Sequence, residues 1–142
     1  MEKFLVEKSR KIKGTINVEG AKNACLPILA ASILSNGKTI IKRVPFLSDV
    51  NIMCSLLQDI GIDRNKNIKD KTIEIDTKNI FNKEVCYELV KKIRASFLLA
   101  GPLLARFGKV SIQMPGGCAI GVRPIDLHLK GFKALGANIN QK

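Results

Sequence analysis

The amino-acid sequence predicts an α/β fold, in which helices and short strands follow one another along a single chain. Apolar residues recur at helical spacing in residues 49–61 and 124–135, whereas they alternate with polar ones in residues 72–76 and 109–114. The order of these segments in the first half is repeated in the second. With 142 residues, 46% of them hydrophobic, the chain can bury one core or part of a larger one.

The first half begins with two strand-like segments and continues with a helix, a strand, a second helix and another strand. Gly20 ends the early strands, and Pro27 is tolerable in the first turn of the helix that follows. We expect strands at residues 4–7, 15–19, 38–44 and 72–76, helices at residues 24–34 and 49–61, and a polar connection at residues 63–71.

The second half repeats the helix–strand–helix order, with a longer connection before its last helix. Four positions separate Pro45 from the helix start at Asp49, but nine separate Pro115 from Pro124, so the second copy carries five extra residues. A repeated scaffold with one enlarged loop favours a functional role for that loop. We expect a helix at residues 95–107, a strand at residues 109–114 and a helix at residues 124–135.

The enlarged loop lies within residues 114–126 and contains three glycines, one cysteine and one arginine. Glycines let the backbone approach a ligand closely, and the junction between a strand and a helix is a common place to bind an anion. Arg123 can lower the pKa of a nearby thiol while it grips a phosphate. The combination predicts a reactive thiol, Cys118, beside an anionic substrate.

The four cysteines are spread along the chain without the spacing of a metal site. They are Cys25, Cys54, Cys86 and Cys118, and a single histidine, His128, adds little to a metal site. Cys25 and Cys54 lie on apolar helix faces, where a cysteine behaves as a small buried hydrophobe. Cys86 lies among polar residues at a predicted helix start. We therefore expect no metal, and Cys118 is the one candidate for chemistry.

The net charge of +12 invites a nucleic-acid interpretation, which the rest of the composition disfavours. The lysines are scattered, aromatic residues make up only 5% and tryptophan is absent, so no platform for stacking bases is visible. A solvated basic surface with an anion-attracting cleft explains the charge more simply. The N-terminus carries no hydrophobic signal region and the apolar runs are too short for a bilayer, so we expect a cytoplasmic protein that binds no membrane.

Three separate motifs, in order along the chain, resemble one known family. They are residues 20–24 (GAKNA), residues 93–96 (IRAS), and residues 115–118 (PGGC) followed by residues 121–128 (GVRPIDLH). These segments closely resemble the UDP-N-acetylglucosamine 1-carboxyvinyltransferases, the enolpyruvyl transferases that open bacterial peptidoglycan precursor synthesis. The resemblance extends from about Phe4 to Asn138.

This resemblance implies a two-lobed enzyme, each lobe an inside-out α/β barrel of βαβαββ units. Residues 1–21 correspond to strands that pack with the second lobe, and residues 22–142 correspond to about two repeat units of an incomplete first lobe. We therefore expect this chain to be an N-terminal part of that enzyme, without the second lobe and its catalytic aspartate. A chain with the acid but not the base would not turn over alone, and a complementary C-terminal fragment is a possible partner.

The resemblance also implies the reaction and the residues that carry it. The enolpyruvyl group of phosphoenolpyruvate moves onto the 3-hydroxyl of UDP-N-acetylglucosamine, and phosphate is released without any cofactor. Cys118 resembles the general acid that protonates the methylene carbon. The resemblance also implies that three cations, Lys22, Arg94 and Arg123, converge on the phosphate and carboxylate of phosphoenolpyruvate. The substrate-binding set implied by similarity is Lys22, Asn23, Arg94, Arg123, Pro124, Ile125, Asp126 and Leu127.

Three alternatives remain open on the sequence. The sister enolpyruvyl transferase that acts on shikimate 3-phosphate shares the fold, but it lacks the cysteine loop, so Cys118 argues against it. A non-catalytic remnant or interaction fragment of the enzyme is the second alternative. A basic nucleic-acid binder is the third, and it would show salt-dependent binding to random DNA.

Overall fold

The computed structural model describes residues 3–8, 11–80, 85–114 and 124–141. Within these ranges the chain forms five α-helices, three strands and two 3₁₀ segments. The helices are α1 (Lys22–Ala31), α2 (Ser48–Asp59), α3 (Tyr87–Val90), α4 (Ala100–Phe107) and α5 (Asp126–Ala134). The strands are β1 (Lys38–Ile41), β2 (Asp63–Asn67) and β3 (Thr72–Asp76), and the 3₁₀ segments are Ser32–Leu34 and Arg94–Leu99.

The three strands form one antiparallel sheet in the order β1-β3-β2. Strand β3 is central because its alternating isoleucines, Ile73 and Ile75, point into the core and are fully buried. Ile41 of β1 pairs with Ile73, which continues the apolar face across the sheet. The predicted strand at residues 72–76 is confirmed, and the predicted strand at 38–44 is confirmed but shorter.

Strand β2 was not expected from the sequence, which predicted a polar connection at residues 63–71. All five of its residues are polar or charged, so it shows no apolar alternation. The structure forms it because β3 offers a free edge, and the register pairs Asp63 with Asp76 and Asn67 with Thr72. A polar edge strand also protects a sheet from pairing with another chain.

Helices α1 and α2 pack against each other and share the core that covers the sheet. Helix α1 buries Cys25, Leu26, Leu29 and Ala30, a face at helical spacing. Helix α2 contributes a larger apolar face and ends just before Gly61. Its buried residues are Val50, Met53, Cys54, Leu56 and Leu57.

The helix expected at residues 95–107 is present in two parts. The 3₁₀ segment Arg94–Leu99 leads directly into α4, which ends at Gly108 in the left-handed conformation, with a φ of 72°. The strand expected at residues 109–114 is not formed, although Val110 and Ile112 pack against the core. A strand needs a hydrogen-bonded neighbour, and apolar alternation alone does not supply one.

The N-terminal strands expected at residues 4–7 and 15–19 are also wrong for the described residues. Their apolar side chains are almost fully exposed, and the backbone has no regular structure. The same physical reason applies, because an isolated extended segment has nothing to pair with. The fold class predicted from the sequence, helices with a sheet in an α/β arrangement, is confirmed.

Gly20 joins the N-terminal segment to the start of α1 through a close backbone approach. A Cβ at this position would lie 1.9 Å from the carbonyl oxygen of Arg43 and 3.3 Å from Cδ of Pro45. Beside it, the carboxylate of Glu19 forms an ion pair with Lys71. The contact therefore requires a residue without a side chain, and it positions the first turn of α1.

Arg106 of α4 binds three backbone carbonyls, and we call this set of hydrogen bonds the Arg106 clasp. Its guanidinium donates to the carbonyl oxygens of Ile33 at 2.7 Å, Ser35 at 2.8 Å and Thr77 at 2.9 Å. The hydroxyl of Thr77, a fully buried residue, lies 2.8 Å from the carbonyl oxygen of Ser35 and accepts from the N–H of Gly37. These bonds satisfy the ends of the first 3₁₀ segment and of β3.

Replacement of Arg106 by methionine is expected to lower the free energy of unfolding by about 2–4 kcal/mol, because three carbonyls lose a charged donor. Urea denaturation followed by circular dichroism measures the change. The exposed lysine variant Lys69→Met is the control, and we expect it to stay within about 0.5 kcal/mol of the wild type. Equal stability of the two variants would contradict the role of the clasp.

Replacement of Gly20 by alanine is expected to lower the free energy of unfolding by about 1–3 kcal/mol, because the new methyl group overlaps the Arg43 carbonyl. Gly14→Ala is the matched control, since a Cβ there meets nothing within 4 Å. Thermal unfolding of both variants provides the comparison. A Gly20→Ala midpoint no lower than that of Gly14→Ala would show that the contact is dispensable.

Candidate functional site

A cavity of about 670 Å³ opens where several helices begin. The residues around it come from α1, α2, the segment before and within Arg94–Leu99, and α5, so they are distant in sequence. They are Lys22, Asn23, Leu26, Pro27, Asp49, Lys91, Lys92, Ile93, Arg94, Ala95, Phe97, Leu98, Ile125 and His128.

The cavity is surrounded by first-turn residues of helical segments. Lys22 and Asn23 begin α1, Asp49 is in the first turn of α2, and Arg94 begins its 3₁₀ segment. Ile125 is the residue that precedes α5. None of the residues that precede these segments caps them with a side-chain hydrogen bond. Backbone N–H groups at helix N-termini favour a bound anion, and first-turn residues of α1 and α2 line the cavity.

Positive side chains outnumber negative ones around the cavity. The described residues of its wall include three lysines and one arginine against a single carboxylate, that of Asp49. Asp49 Oδ2 lies 2.7 Å from Nζ of Lys22, and both side chains are partly exposed. The remaining positive charge makes the cavity suited to a compact ligand with more than one negative charge.

Arg94 is held at the edge of the cavity by the segment that precedes α5. One of its guanidinium nitrogens donates to the carbonyl oxygen of Pro124 at 3.1 Å. Next to it the buried hydroxyl of Ser96 donates to the carbonyl oxygens of Ile93 at 2.7 Å and Val90 at 3.0 Å. Ser96 therefore fixes the turn that aims Arg94, which gives the Arg-Ala-Ser sequence a structural reason.

The basic pair Lys91–Lys92 also lines the cavity, on the turn that follows α3. Lys91 forms a 2.6 Å ion pair with Glu88, and its ammonium lies 5.1 Å from the centre of the Tyr87 ring. The hydrogen bond to Glu88 raises the pKa of Lys91 above its usual value. The same ion pair places the negative charge of Glu88 beside Lys91, so part of the positive charge of Lys91 is balanced.

The apolar side of the cavity is formed by Phe97 and Ile125, which are buried together in a small second core. The ring of His128 packs edge-on against Phe97, with ring centres 5.5 Å apart and an interplanar angle of 80°. Phe132 of α5 packs against the other side of this cluster. An apolar floor beside a cationic wall suits a ligand with both an anionic and a planar or ring-shaped part.

The structure brings together four of the residues that the sequence analysis singled out, namely Lys22, Asn23, Arg94 and Ile125. Pro124 adjoins them through its carbonyl. Asp126 and Leu127 lie on the exposed first turn of α5, outside the cavity wall. Cys118 and Arg123 lie outside the described residues.

Four polar residues of the wall are not among the candidates predicted from the sequence. They are Lys91, Lys92, His128, which the sequence offers only as a weak metal ligand, and Asp49, which it offers only as a helix start. No local signal separates these residues from ordinary surface charges, because their placement depends on which helices meet.

The cysteines in the described part of the chain are unsuited to chemistry. Cys25 and Cys54 are buried in the main core, and burial raises the pKa of each thiol. Cys86 is half-buried, and its N–H donates to the carboxylate of Asp59 at 3.0 Å at the start of α3. The expectation that Cys25 and Cys54 are buried hydrophobes is confirmed.

Among the described residues, no group of three or more His, Cys, Asp or Glu side chains is placed to hold a metal ion. Across the same residues, no helix has the length and apolar character needed to cross a bilayer.

Comparison with known proteins found relatives of this chain. The family model described as EPSP synthase (3-phosphoshikimate 1-carboxyvinyltransferase) matches residues 6–142. UDP-N-acetylglucosamine 1-carboxyvinyltransferase 2 of Clostridium tetani is 52% identical over 140 residues, and these cover 99% of this chain and 34% of the relative. UDP-N-acetylglucosamine 1-carboxyvinyltransferase 1 of Caldanaerobacter subterraneus is 53% identical over 137 residues, covering 96% of this chain and 32% of the relative.

The chain thus spans about a third of the length of the curated relatives that it matches. Among solved structures, the enolpyruvyl transferase NikO from Streptomyces tendae is similar in fold, with a TM-score of 0.61 and 21% sequence identity. The match covers 68% of this chain and 22% of that one. It shows that the described helices and sheet form part of the enolpyruvyl transferase fold.

Alkylation by iodoacetamide is expected to distinguish the three described cysteines in a Cys118→Ser variant. Cys25 and Cys54 should react at least about a hundredfold more slowly than Cys86, because their raised pKa leaves less thiolate and reaction requires the core to open. Peptide mapping by mass spectrometry after timed exposure measures the rates. In urea the three rates should converge, and similar rates without urea would contradict the assigned burial.

Proposed function

Because the chain belongs to the EPSP synthase (3-phosphoshikimate 1-carboxyvinyltransferase) family, we propose that it serves enolpyruvyl transfer and that its cavity binds phosphoenolpyruvate. The proposed acceptor is the 3-hydroxyl of UDP-N-acetylglucosamine, the substrate in the names of the relatives at about half identity. The proposed setting is peptidoglycan precursor synthesis in the cytoplasm. A complementary C-terminal segment, supplied in the same or another chain, is the proposed partner.

The observation that carries this proposal is the convergence of Lys22, Asn23 and Arg94 on one cationic cavity. Phosphoenolpyruvate is a small molecule with a phosphate and a carboxylate, so it needs several cations in a confined space. Three lysines and one arginine around about 670 Å³ provide that environment. The first turns of α1 and α2 line the cavity and add the positive ends of two helix dipoles.

Each side chain has a proposed role in this reaction. Lys22, Arg94 and Arg123 would neutralise the phosphate and carboxylate, and Asn23 would contact both the phosphoenolpyruvate and the sugar nucleotide. Residues 123–127 would bind the UDP-sugar beside the apolar floor of the cavity. Cys118 would deliver a proton to the methylene carbon, and the surrounding cations would favour its thiolate for adduct formation with phosphoenolpyruvate.

The sister reaction on shikimate 3-phosphate is the second candidate, because the matching family model carries its name. The cysteine of the enlarged loop argues against it, since that enzyme lacks the cysteine loop. An interaction fragment is the third candidate. Restored activity on co-expression with a complementary C-terminal segment would support a split enzyme, and a stable complex without activity would support the fragment.

Fosfomycin is an epoxide analogue of phosphoenolpyruvate that alkylates the loop cysteine of the UDP-N-acetylglucosamine 1-carboxyvinyltransferases, and we expect it to modify Cys118 selectively. Addition of UDP-N-acetylglucosamine should speed the reaction, because the sugar nucleotide completes the surroundings of the thiol. Intact mass and peptide mapping measure the extent and position of labelling. Shikimate 3-phosphate in place of the sugar nucleotide should give no enhancement, and enhancement by it alone would favour the sister reaction.

Two variants sharpen this test. Lys22→Met should slow Cys118 labelling about tenfold or more, because a charged hydrogen bond to the anionic reagent is lost. Lys69→Met, on the exposed turn between β2 and β3, is the matched control and should label at the wild-type rate. Labelling of Cys86 and Cys118 at equal rates, with no response to the nucleotide, would rule out the proposed function for this chain.

A further inference from the structure

We propose that Asp49 is the resident counter-ion of Lys22, a carboxylate that an anionic substrate must displace to enter the cavity. Asp49 would thereby act as a specificity-determining positioning residue, selecting multiply charged anions over weaker ones. The inference rests on the anion-binding part of the proposed function and adds a residue that similarity to the family motifs did not indicate.

The geometry shows that the Asp49 carboxylate is directed at the Lys22 ammonium. Its Oδ2 lies 2.7 Å from Nζ of Lys22, and both residues line the cavity. The other oxygen, Oδ1, accepts a hydrogen bond from the hydroxyl of Ser48 at 3.4 Å. The carboxylate lies in the first turn of α2, where the helix dipole favours a negative charge. Asp49 is therefore held on its own helix while it binds a cation on another.

Stability does not explain this pair. The side chains of Lys22 and Asp49 are 40% and 32% exposed, and an ion pair with that degree of exposure adds little to the free energy of folding. The two helices are already joined by their apolar faces in the main core. What the pair does set is the position and the availability of the Lys22 ammonium.

The charge balance of the wall gives the carboxylate a function. Among the described residues that line the cavity, Asp49 is the only carboxylate, and Lys91 is already paired with Glu88 of α3. Without Asp49, Lys22, Lys92 and Arg94 would have no carboxylate beside them among the described wall residues, and the cavity would attract any small anion from the buffer. With Asp49 in place, an entering anion must replace one carboxylate at Lys22 and tolerate its charge nearby. A ligand with two or more charges that reaches several cations can do this, whereas chloride or acetate cannot.

No covalent step or proton transfer is required by this exchange. The Lys22 ammonium leaves one oxygen anion, that of Asp49, and binds another, that of the ligand. Asp49 keeps its hydrogen bond from Ser48, so it remains in the first turn of α2 and can take back the ammonium when the product phosphate leaves.

Asp49→Asn provides the direct test, because asparagine retains an oxygen acceptor for Lys22 but removes the charge. Inorganic phosphate is the probe, and isothermal titration calorimetry at low ionic strength measures its affinity for the purified chain. We expect phosphate to bind about three- to tenfold more tightly to Asp49→Asn than to the wild type. Acetate and chloride should compete with phosphate measurably only in the variant.

Glu74→Gln is the matched control, since Glu74 forms an ion pair of the same 2.7 Å length with Lys38 on the sheet, away from the cavity wall. It removes one negative charge without changing the surroundings of Lys22, and its phosphate affinity should match the wild type. Unfolding midpoints of Asp49→Asn and Glu74→Gln should both stay close to that of the wild type, which shows that neither variant acts through the fold.

A double-variant cycle shows whether Asp49 acts through Lys22. In a Lys22→Met background, the Asp49→Asn substitution should no longer tighten phosphate binding. Equal phosphate affinity of wild type and Asp49→Asn, or a gain that persists without Lys22, would overturn the proposal. If these phosphate results hold while UDP-N-acetylglucosamine fails to enhance Cys118 labelling, the proposed transferase function fails and the counter-ion role stands.

Discussion

The packing of α1 against α2 over β3 is the constraint on which the rest of this structure depends. Both helices bury an apolar stripe in the same core, with Leu29 and Leu57 fully buried. Once these stripes are buried, the first turns of both helices reach the same cavity, and Lys22 lies beside Asp49. The hydrophobic effect, which carries no information about charge, thus determines where the charged groups meet.

The polar contacts around this core hold its ends in place. The Arg106 clasp satisfies carbonyls at the end of the first 3₁₀ segment and of β3, and Ser96 does the same for the turn before α4. The close approach of Gly20 to the Arg43 carbonyl lies just before the first turn of α1. The carbonyls bound by Arg106 and Ser96 therefore have donors other than the cavity lysines.

The cavity joins two kinds of environment that an enolpyruvyl transfer would use. Its cationic wall suits a phosphate and a carboxylate, and its apolar floor of Phe97 and Ile125 suits a larger sugar nucleotide. Asp49 is the carboxylate among the described wall residues, and it is paired with Lys22. A site of this kind balances attraction for its ligand against attraction for every other anion in solution.

Periodicity and local conformational preference are enough to predict helices α2 and α5, the central strand β3 and the end of a helix just before Gly108. The sequence motifs also indicated Lys22, Asn23 and Arg94. The tertiary structure determines two further features. It pairs β2 with β3, although the polar residues of β2 have no apolar pattern, and it leaves the described N-terminal residues without strands. It alone placed Asp49, Lys91, Lys92 and His128 in the cavity. Spacing along one helix says which residues share a face, but the meeting of two helices depends on the burial of the whole core.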